Sequence, residues 1–307
     1  MDRFELNILG CGSATPTARH MPSCQVLNIR DNLFMIDCGE MAQLGVMRSK
    51  LKFTRLNHIF ISHLHGDHCF GLPGLLSTLD LHQRTGPLTI HINAEGAKHF
   101  KAFFDFFLAG CDYNIQFNII DTRKAVIYED DAITVTAFPL KHRVPTMGFL
   151  FEEKPKQRHI DGEMVRFHNV PLYKYADLRQ GADYVTPEGE VIPNSVLTKP
   201  ADPSISYAYC SDTAYSPRLT QMLSNPTWMY HEATYTDEYA KMARKRGHST
   251  AREAGIIARD CGASNLILGH FSKRYTDERE HQSQAQEEFN GRVIIANEGM
   301  KIDLTKF

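Results

Sequence analysis

Residues 62–68 read Ser62-His63-Leu64-His65-Gly66-Asp67-His68 and continue a short apolar run, His58–Ile61. Four side chains that bind metals, His63, His65, Asp67 and His68, fall within six residues. In an extended segment, side chains two positions apart project to the same side, so His63 and His65 point together. Gly66 allows a tight turn, after which Asp67 and His68 face a second point nearby. One segment can therefore serve two metal ions. Imidazole with carboxylate is a donor set that suits zinc, with manganese or iron(II) as alternatives.

Further donors stand at the ends of other strand-like runs. His142 follows Ile133–Phe138, Asp212 follows Ser206–Tyr209, and His270 follows Asn265–Leu268. Asp37 ends the run Leu33–Ile36. It is left outside the ligand set, as either a turn residue or a partner that orients a ligand histidine. His231 and Glu232 follow Trp228–Tyr230. His248 precedes Thr250-Ala251-Arg252-Glu253, a capping box, and a place just ahead of a helix N-terminus suits contact with an anionic oxygen. His20, His58, His82, His91, His99, His159, His168 and His281 have no such neighbours. They are expected to be solvated or structural.

The remaining strand-like runs are Phe4–Leu9, Gln25–Ile29, Leu88–Ile92, Ile115–Ile120, Met147–Phe151 and Val293–Ile295. Helices are expected at Gly71–Asp80, Ala97–Leu108, from Thr250 to a stop at Gly262, and at Thr276–Phe289. Strands dominate the first half and strand–helix units the second. The pattern predicts one layered α/β domain over residues 1–307 with mixed sheets. Residues 153–203 hold six of the chain's 14 prolines and little periodicity, which predicts an inserted arm. No apolar run approaches the ~18 residues of a membrane span, and no signal peptide is expected. Seven cysteines without paired spacing point to a reduced, cytoplasmic protein. The net charge of −2 does not favour nucleic-acid binding by bulk charge and leaves local patches open.

The series His63-x-His65-x-Asp67-His68, His142, Asp212 and His270 resembles the metallo-β-lactamase fold. Within that fold the chain resembles the ribonuclease Z family. The matches are Asp37-Cys38-Gly39-Glu40, residues 62–68, His231-Glu232-Ala233-Thr234, Gly247-His248-Ser249-Thr250 and His270-Phe271-Ser272-x-Arg274-Tyr275, and they span about Asn7 to Tyr275. The resemblance implies a four-layer αβ/βα sandwich with two mixed β-sheets, two zinc ions per chain and a homodimer. It implies endonucleolytic removal of the 3′ trailer from precursor tRNA, leaving a 3′-hydroxyl. Carried over by position, it implies that His63, His65 and His142 bind one ion, that Asp67, His68 and His270 bind the other, and that Asp212 bridges them. It also implies that Asp67 acts as general base and that His248, with Glu232 behind it, supports the transition state.

Two features depart from the family's pattern. Family members carry a lysine- and asparagine-containing loop after the first glycine-rich turn, where this chain has Pro16-Thr17-Ala18-Arg19-His20-Met21. The arm at 153–203 corresponds to a tRNA-gripping exosite with a basic, glycine–proline tip, yet here it holds seven Lys/Arg against eight Asp/Glu and no such tip. Other basic clusters stand at Arg48, Lys50, Lys52 and Arg55, and at Lys241, Arg244, Lys245 and Arg246. Two rival readings follow: a hydrolase of small phosphodiesters or unstructured RNA, and a non-catalytic nucleic-acid-binding protein.

Overall fold

A computed structural model describes residues 3–306. Six strands come first: β1 (Phe4–Gly10), β2 (Cys24–Ile29), β3 (Asn32–Ile36), β4 (Leu56–Phe60), β5 (Leu88–Ile92) and β6 (Ile115–Ile119). Next come β7 (Ala125–Glu129), β8 (Ile133–Leu140) and β9 (Thr146–Glu153), then four two-residue strands, β10 (His159–Ile160), β11 (Tyr184–Val185), β12 (Val191–Ile192) and β13 (Thr198–Lys199). The chain ends with β14 (Ser206–Cys210), β15 (Trp228–Glu232), β16 (Asn265–Gly269), β17 (Arg292–Ile295) and β18 (Lys301–Asp303). Two seven-stranded sheets result, β18-β1-β2-β3-β4-β5-β6 and β17-β16-β15-β14-β9-β8-β7. All twelve expected runs lie in strands, within a residue or two.

Local chemistry accounts for the first sheet. β2 and β3 are joined by Arg30 and Asp31, both with positive φ, 49° and 70°, as a two-residue turn matched to strand twist requires. From β3 to β6 the pairing is parallel, so helices must carry the chain back between strands. Ala42–Arg48, Leu72–Leu81 and Ala94–Phe107 do so. Leu72, Leu75, Leu76 and Leu79 follow helical spacing and are buried with Ile59, Ile90 and Val26 of the sheet. On the inner face, aromatic rings fill the space between sheets. Phe60 packs edge-on against Phe151 at 5.3 Å, and Tyr209 stacks on Tyr230 at 5.0 Å. The result is the α/β sandwich that the sequence pattern predicts.

Several elements differ from the sequence reading. Asn93 caps the Ala94–Phe107 helix by accepting from the Gly96 amide, so the helix starts three residues before the expected Ala97. The last helix is shorter than expected, Arg279–Gln286. Gly66 opens a one-turn helix, Gly66–Cys69, and the Phe70 ring occupies the space a Cβ would need. The edge strand β7 and the short helices Ala42–Arg48 and Ala240–Arg246 were not anticipated; β7 leaves Val126 more than half exposed and lacks a clear alternation.

Residues 130–134 and 152–204 form a compact unit of their own. Val165, Val170, Leu178, Tyr184, Ile192 and Leu197 make its core. Asn194 is buried within it and donates to the Leu178 and Ala182 carbonyls, both at 2.8 Å. Asp161 caps the Gly162–Phe167 helix. No helix or strand lying wholly within 154–203 exceeds six residues, which is why the sequence there shows no periodicity. Three large apolar side chains, Phe167, Leu172 and Tyr173, are 76–79% exposed on this unit.

Candidate metal centre

The parallel register of the second sheet aligns the strand ends that carry the site. Cys210 pairs with His231, and Glu232 pairs with Gly269. Asp212, Glu232 and His270 therefore emerge at one edge, as expected for a site at the carboxyl ends of parallel strands. From the other sheet, the segment after β4 brings His63, His65, Asp67 and His68 to the same place. Asp37 and His270 both sit at left-handed φ, 56° and 61°, a strained conformation for these residue types that clusters at functional sites.

Every residue expected to bind metal converges here. Ligand atoms of His63, His65, His142 and Asp212 all lie within 4.8 Å of one another, and so do those of Asp67, His68 and His270. His63 Nε2 is 2.9 Å from His65 Nδ1, and His142 Nε2 is 3.3 Å from the same atom. Asp212 stands between the two groups. Its Oδ2 is 3.6 Å from His63 Nε2 and 3.7 Å from His142 Nε2. Its Oδ1 is 3.1 Å from His270 Nε2 and 3.3 Å from His68 Nε2. That buried Oδ1 is in hydrogen-bond geometry with neither. A buried carboxylate oxygen facing two imidazole nitrogens without bonding them is the donor arrangement a cation completes.

The opposite nitrogen of four of the imidazoles is held by the protein. His68 Nδ1 lies 2.7 Å from Asp37 Oδ2, His63 Nδ1 3.0 Å from Ser62 Oγ, His142 Nδ1 2.6 Å from the Gly247 carbonyl, and His270 Nδ1 2.8 Å from Thr234 Oγ1. Such contacts fix tautomer and ring direction and leave each Nε2 facing inward. Asp37 thus takes the orienting role, and it also accepts from the Ser62 amide and from Tyr209. Ser62 and Thr234 are inside the quoted motifs, but their partnership with His63 and His270 had no sequence signal. Asp67 Oδ2 accepts the Ala14 amide at 2.6 Å, a contact the sequence does not announce.

His248 and Glu232 form a second pair beside the ligands. His248 Nδ1 is 2.9 Å from Glu232 Oε1, and fully buried Glu232 also accepts from the Thr213 amide, the Thr234 amide and the Thr234 hydroxyl. Burial works to lower the His248 pKa, but Glu232 and then Asp212 outweigh it and raise it to about 9. Burial and neighbouring His68 hold His63 well below its ordinary value, whereas the carboxylates of Asp212 and Asp37 overcome burial and hold His68 well above it. His231 is not part of the site; its Nδ1 faces the Glu232 carbonyl and its Nε2 is buried without a partner.

A cleft of about 850 Å³ opens over these residues, lined by Asp67, Asp212, His248 and His270. Its rim carries Arg143, Arg246, Lys273 and Arg274. Arg274 lies 4.5 Å over the Tyr239 ring and 5.2 Å over Tyr235. Arg19 and His20, from the altered loop, are not on this cleft. Both are paired with carboxylates, His20 against the expectation that it lacks a constellation.

Comparison with known proteins places this geometry. A family model described as anti-Pycsar protein Apyc1 matches residues 4–154. Ribonuclease Z of Bacteroides fragilis (strain YCH46) is 49% identical over 305 residues, which is 99% of this chain and 100% of that protein. Among solved structures, human tRNase Z, short form, superposes with a TM-score of 0.70 at 24% identity, covering 98% of this chain and 99% of that one. The metallo-β-lactamase fold protein YhfI from Bacillus subtilis gives 0.70 at 17% identity, covering 98% and 99%. The chain has the metallo-β-lactamase fold.

Proposed function

Because the chain belongs to the ribonuclease Z family, we propose that it is a metal-dependent endoribonuclease that removes the 3′ trailer from precursor tRNA and leaves a 3′-hydroxyl on the tRNA. The observation that carries this reading is the pair of converging donor groups joined by Asp212, with its unbonded buried oxygen. His63, His65 and His142 would hold one zinc ion, Asp67, His68 and His270 the other, and Asp212 both; manganese or iron(II) suits the same donors. Bound there, the two ions would supply Lewis-acid stabilisation of the charge that grows on the phosphate oxygens.

The chain's own residues have distinct tasks in this mechanism. Asp67 presents a carboxylate to the cleft and is the general base. His248 has its Nδ1 committed to Glu232, so Nε2 is the nitrogen available to the substrate. Held as the cation, it donates to a phosphate oxygen or to the leaving oxygen. Glu232 stays ionised because His248 and four hydrogen-bond contacts, counting that imidazole, offset its burial. Arg143, Arg246, Lys273 and Arg274 gather positive charge at the cleft mouth, which attracts a polyanion even though the whole chain carries −2. Three of these four lie outside the clusters at 48–55 and 241–246.

We assign the arm at 153–203 to RNA contact by stacking. Its charges nearly cancel, but Phe167 and Tyr173 are exposed beside Arg166 and Lys174, and the Lys174 ammonium lies 5.8 Å over the Tyr173 ring. Exposed aromatic rings with neighbouring cations suit unstacked bases and base-pair ends. We also propose a homodimer: Phe103, Phe106 and Phe107, with Phe70, leave an apolar face open to solvent, and such faces mark interaction sites. No helix among the described residues is long and apolar enough to cross a membrane, and all seven cysteines are free, which supports a cytoplasmic location.

The reading is tested by comparing precursor tRNA with bis(p-nitrophenyl) phosphate as substrates, for the full chain and for a variant with 153–203 replaced by a short linker. The expected result is metal-dependent turnover of both by the full chain and loss of tRNA processing alone in the deletion. The near-neutral arm favours one alternative, a hydrolase of small phosphodiesters. Turnover of bis(p-nitrophenyl) phosphate without cleavage of precursor tRNA by the full chain would favour it, and equal tRNA processing with and without the arm would show that the arm is not an exosite. No turnover of either substrate by the metal-loaded chain would remove both readings.

A further inference from the structure

The loop at 11–21 is tied down by a partly buried charge cluster that the catalytic reading does not use. Arg19 donates to both Glu278 carboxylate oxygens at 2.7 and 2.8 Å and to the Tyr275 carbonyl at 2.8 Å. His20, only 7% exposed, lies between two carboxylates: Nε2 is 3.3 Å from Glu278 Oε1, and Nδ1 is 3.0 Å from Glu298 Oε2. The other Glu298 oxygen accepts the Met21 amide at 2.8 Å and the Cys11 amide at 3.3 Å. With His20 protonated, two cations face two anions. The charges therefore balance without an added ion, although Cys11, His20 and Glu298 are close enough to resemble a ligand set.

The same loop reaches the metal centre. Cys11 and Ser13 exchange backbone hydrogen bonds with Phe271, the residue after His270, at 2.9 and 3.1 Å. Ala14 follows with φ 67°, a left-handed conformation that favours glycine and that alanine keeps only where its surroundings enforce it. From that position its amide donates to Asp67 Oδ2 at 2.6 Å. The chain departs from the family's loop pattern in the segment Pro16–Met21, which contains Arg19 and His20.

We infer that the Arg19–His20–Glu278–Glu298 cluster is a positioning device for Asp67, holding the loop shut so that the strained Ala14 amide fixes the direction of that carboxylate. The inference rests on the reading of Asp67 as base and ligand. Arg19 Nη1 and Nη2 and both ring nitrogens of His20 face protein acceptors.

The test uses the full metal-loaded chain labelled with [15N]alanine, with hydrogen exchange at the Ala14 amide and steady-state kinetics on bis(p-nitrophenyl) phosphate. For folded His20→Gln, the expected result is exchange about tenfold faster or more and kcat lower by about tenfold or more, with KM within about twofold, the pattern of a misplaced catalytic group. Glu298→Gln keeps an oxygen for the two amides and should show the same changes more weakly. It also serves if His20→Gln does not fold. Ala14→Gly in the His20→Gln background should recover kcat severalfold, because glycine holds the turn without enforcement. Unchanged exchange, unchanged kcat, or a kcat loss that Ala14→Gly does not relieve would each overturn the inference. Absence of turnover in the unmutated chain would defeat the proposed function instead, and the exchange comparison would still decide whether the cluster holds Ala14.

Discussion

Replacing Glu232 with Gln should move the alkaline limb of the pH–rate profile toward neutrality. Burial favours the neutral form of His248; Glu232 first, and Asp212 second, reverse that and bring its pKa to about 9. The cation therefore predominates below about pH 9 and is lost as pH rises through it. If the cation is the working form, activity falls on the alkaline side with that midpoint. Glu232→Gln keeps the shape and removes the charge. Without the Glu232 charge, which opposes burial most strongly, burial weighs more and the midpoint moves down from that of the unmutated chain. A midpoint two units lower would take the charged fraction at pH 8 from about 0.9 to about 0.1, roughly a tenfold loss of rate from protonation alone, and would leave almost no loss at pH 6. The assay is kcat/KM on bis(p-nitrophenyl) phosphate from pH 5.5 to 10 at saturating zinc, with metal content measured at each end. Glutamine cannot accept from the Thr213 and Thr234 amides with both ends of its amide, so about 1–3 kcal/mol of stability should be lost as well, and thermal melting separates that effect. An alkaline limb that stays in place, or a loss of equal size at every pH, would refute the reasoning.

Three further outcomes follow from the geometry. His248→Ala should lower kcat by roughly 10²–10⁴-fold while zinc per chain, read by atomic emission, stays the same; full turnover would remove His248 from the mechanism. Asp37→Asn takes the charge from the group that orients His68 at 2.7 Å and should weaken zinc binding by about 10–100-fold in competition with a chelator. Phe167→Ala and Tyr173→Ala should each raise KM for precursor tRNA, in line with about 1–3 kcal/mol for a stacked base, and leave turnover of bis(p-nitrophenyl) phosphate untouched. An equal effect on both substrates would place those rings outside RNA binding.

What the sequence disclosed follows from where the residues sit. The metal donors were legible because each stands just after a short apolar strand, and strand ends at one sheet edge meet in space. The anchors behind them were not. Thr234 reaches His270 across 36 residues, Gly247 reaches His142 across 105, and Ala14 reaches Asp67 across 53. Only the order of strands within each sheet brings these together, and two of the three use backbone atoms, which every residue possesses. The arm was opaque for a different reason. Its core is assembled from elements too short to show a period, so an ordered unit reads as irregular chain.

Charge illustrates the same limit from the other direction. A sum over the chain gives −2, and a sum over the arm gives seven cations against eight anions; both argue against a polyanionic substrate. Neither sum registers that Arg143, Arg246, Lys273 and Arg274 arrive at one cleft from three separate segments. At physiological ionic strength charges beyond about 8 Å are screened, so a phosphate in the cleft responds to those four and hardly to the distant acidic residues. The relevant quantity is the charge within a screening length of the metal centre, and that depends on the fold. A salt titration of precursor tRNA binding reads it directly: replacing Arg274 and Lys273 with Gln should flatten the slope of log K against log salt by roughly one per lost phosphate contact. An unchanged slope would mean that Arg274 and Lys273 make no contact with the RNA backbone.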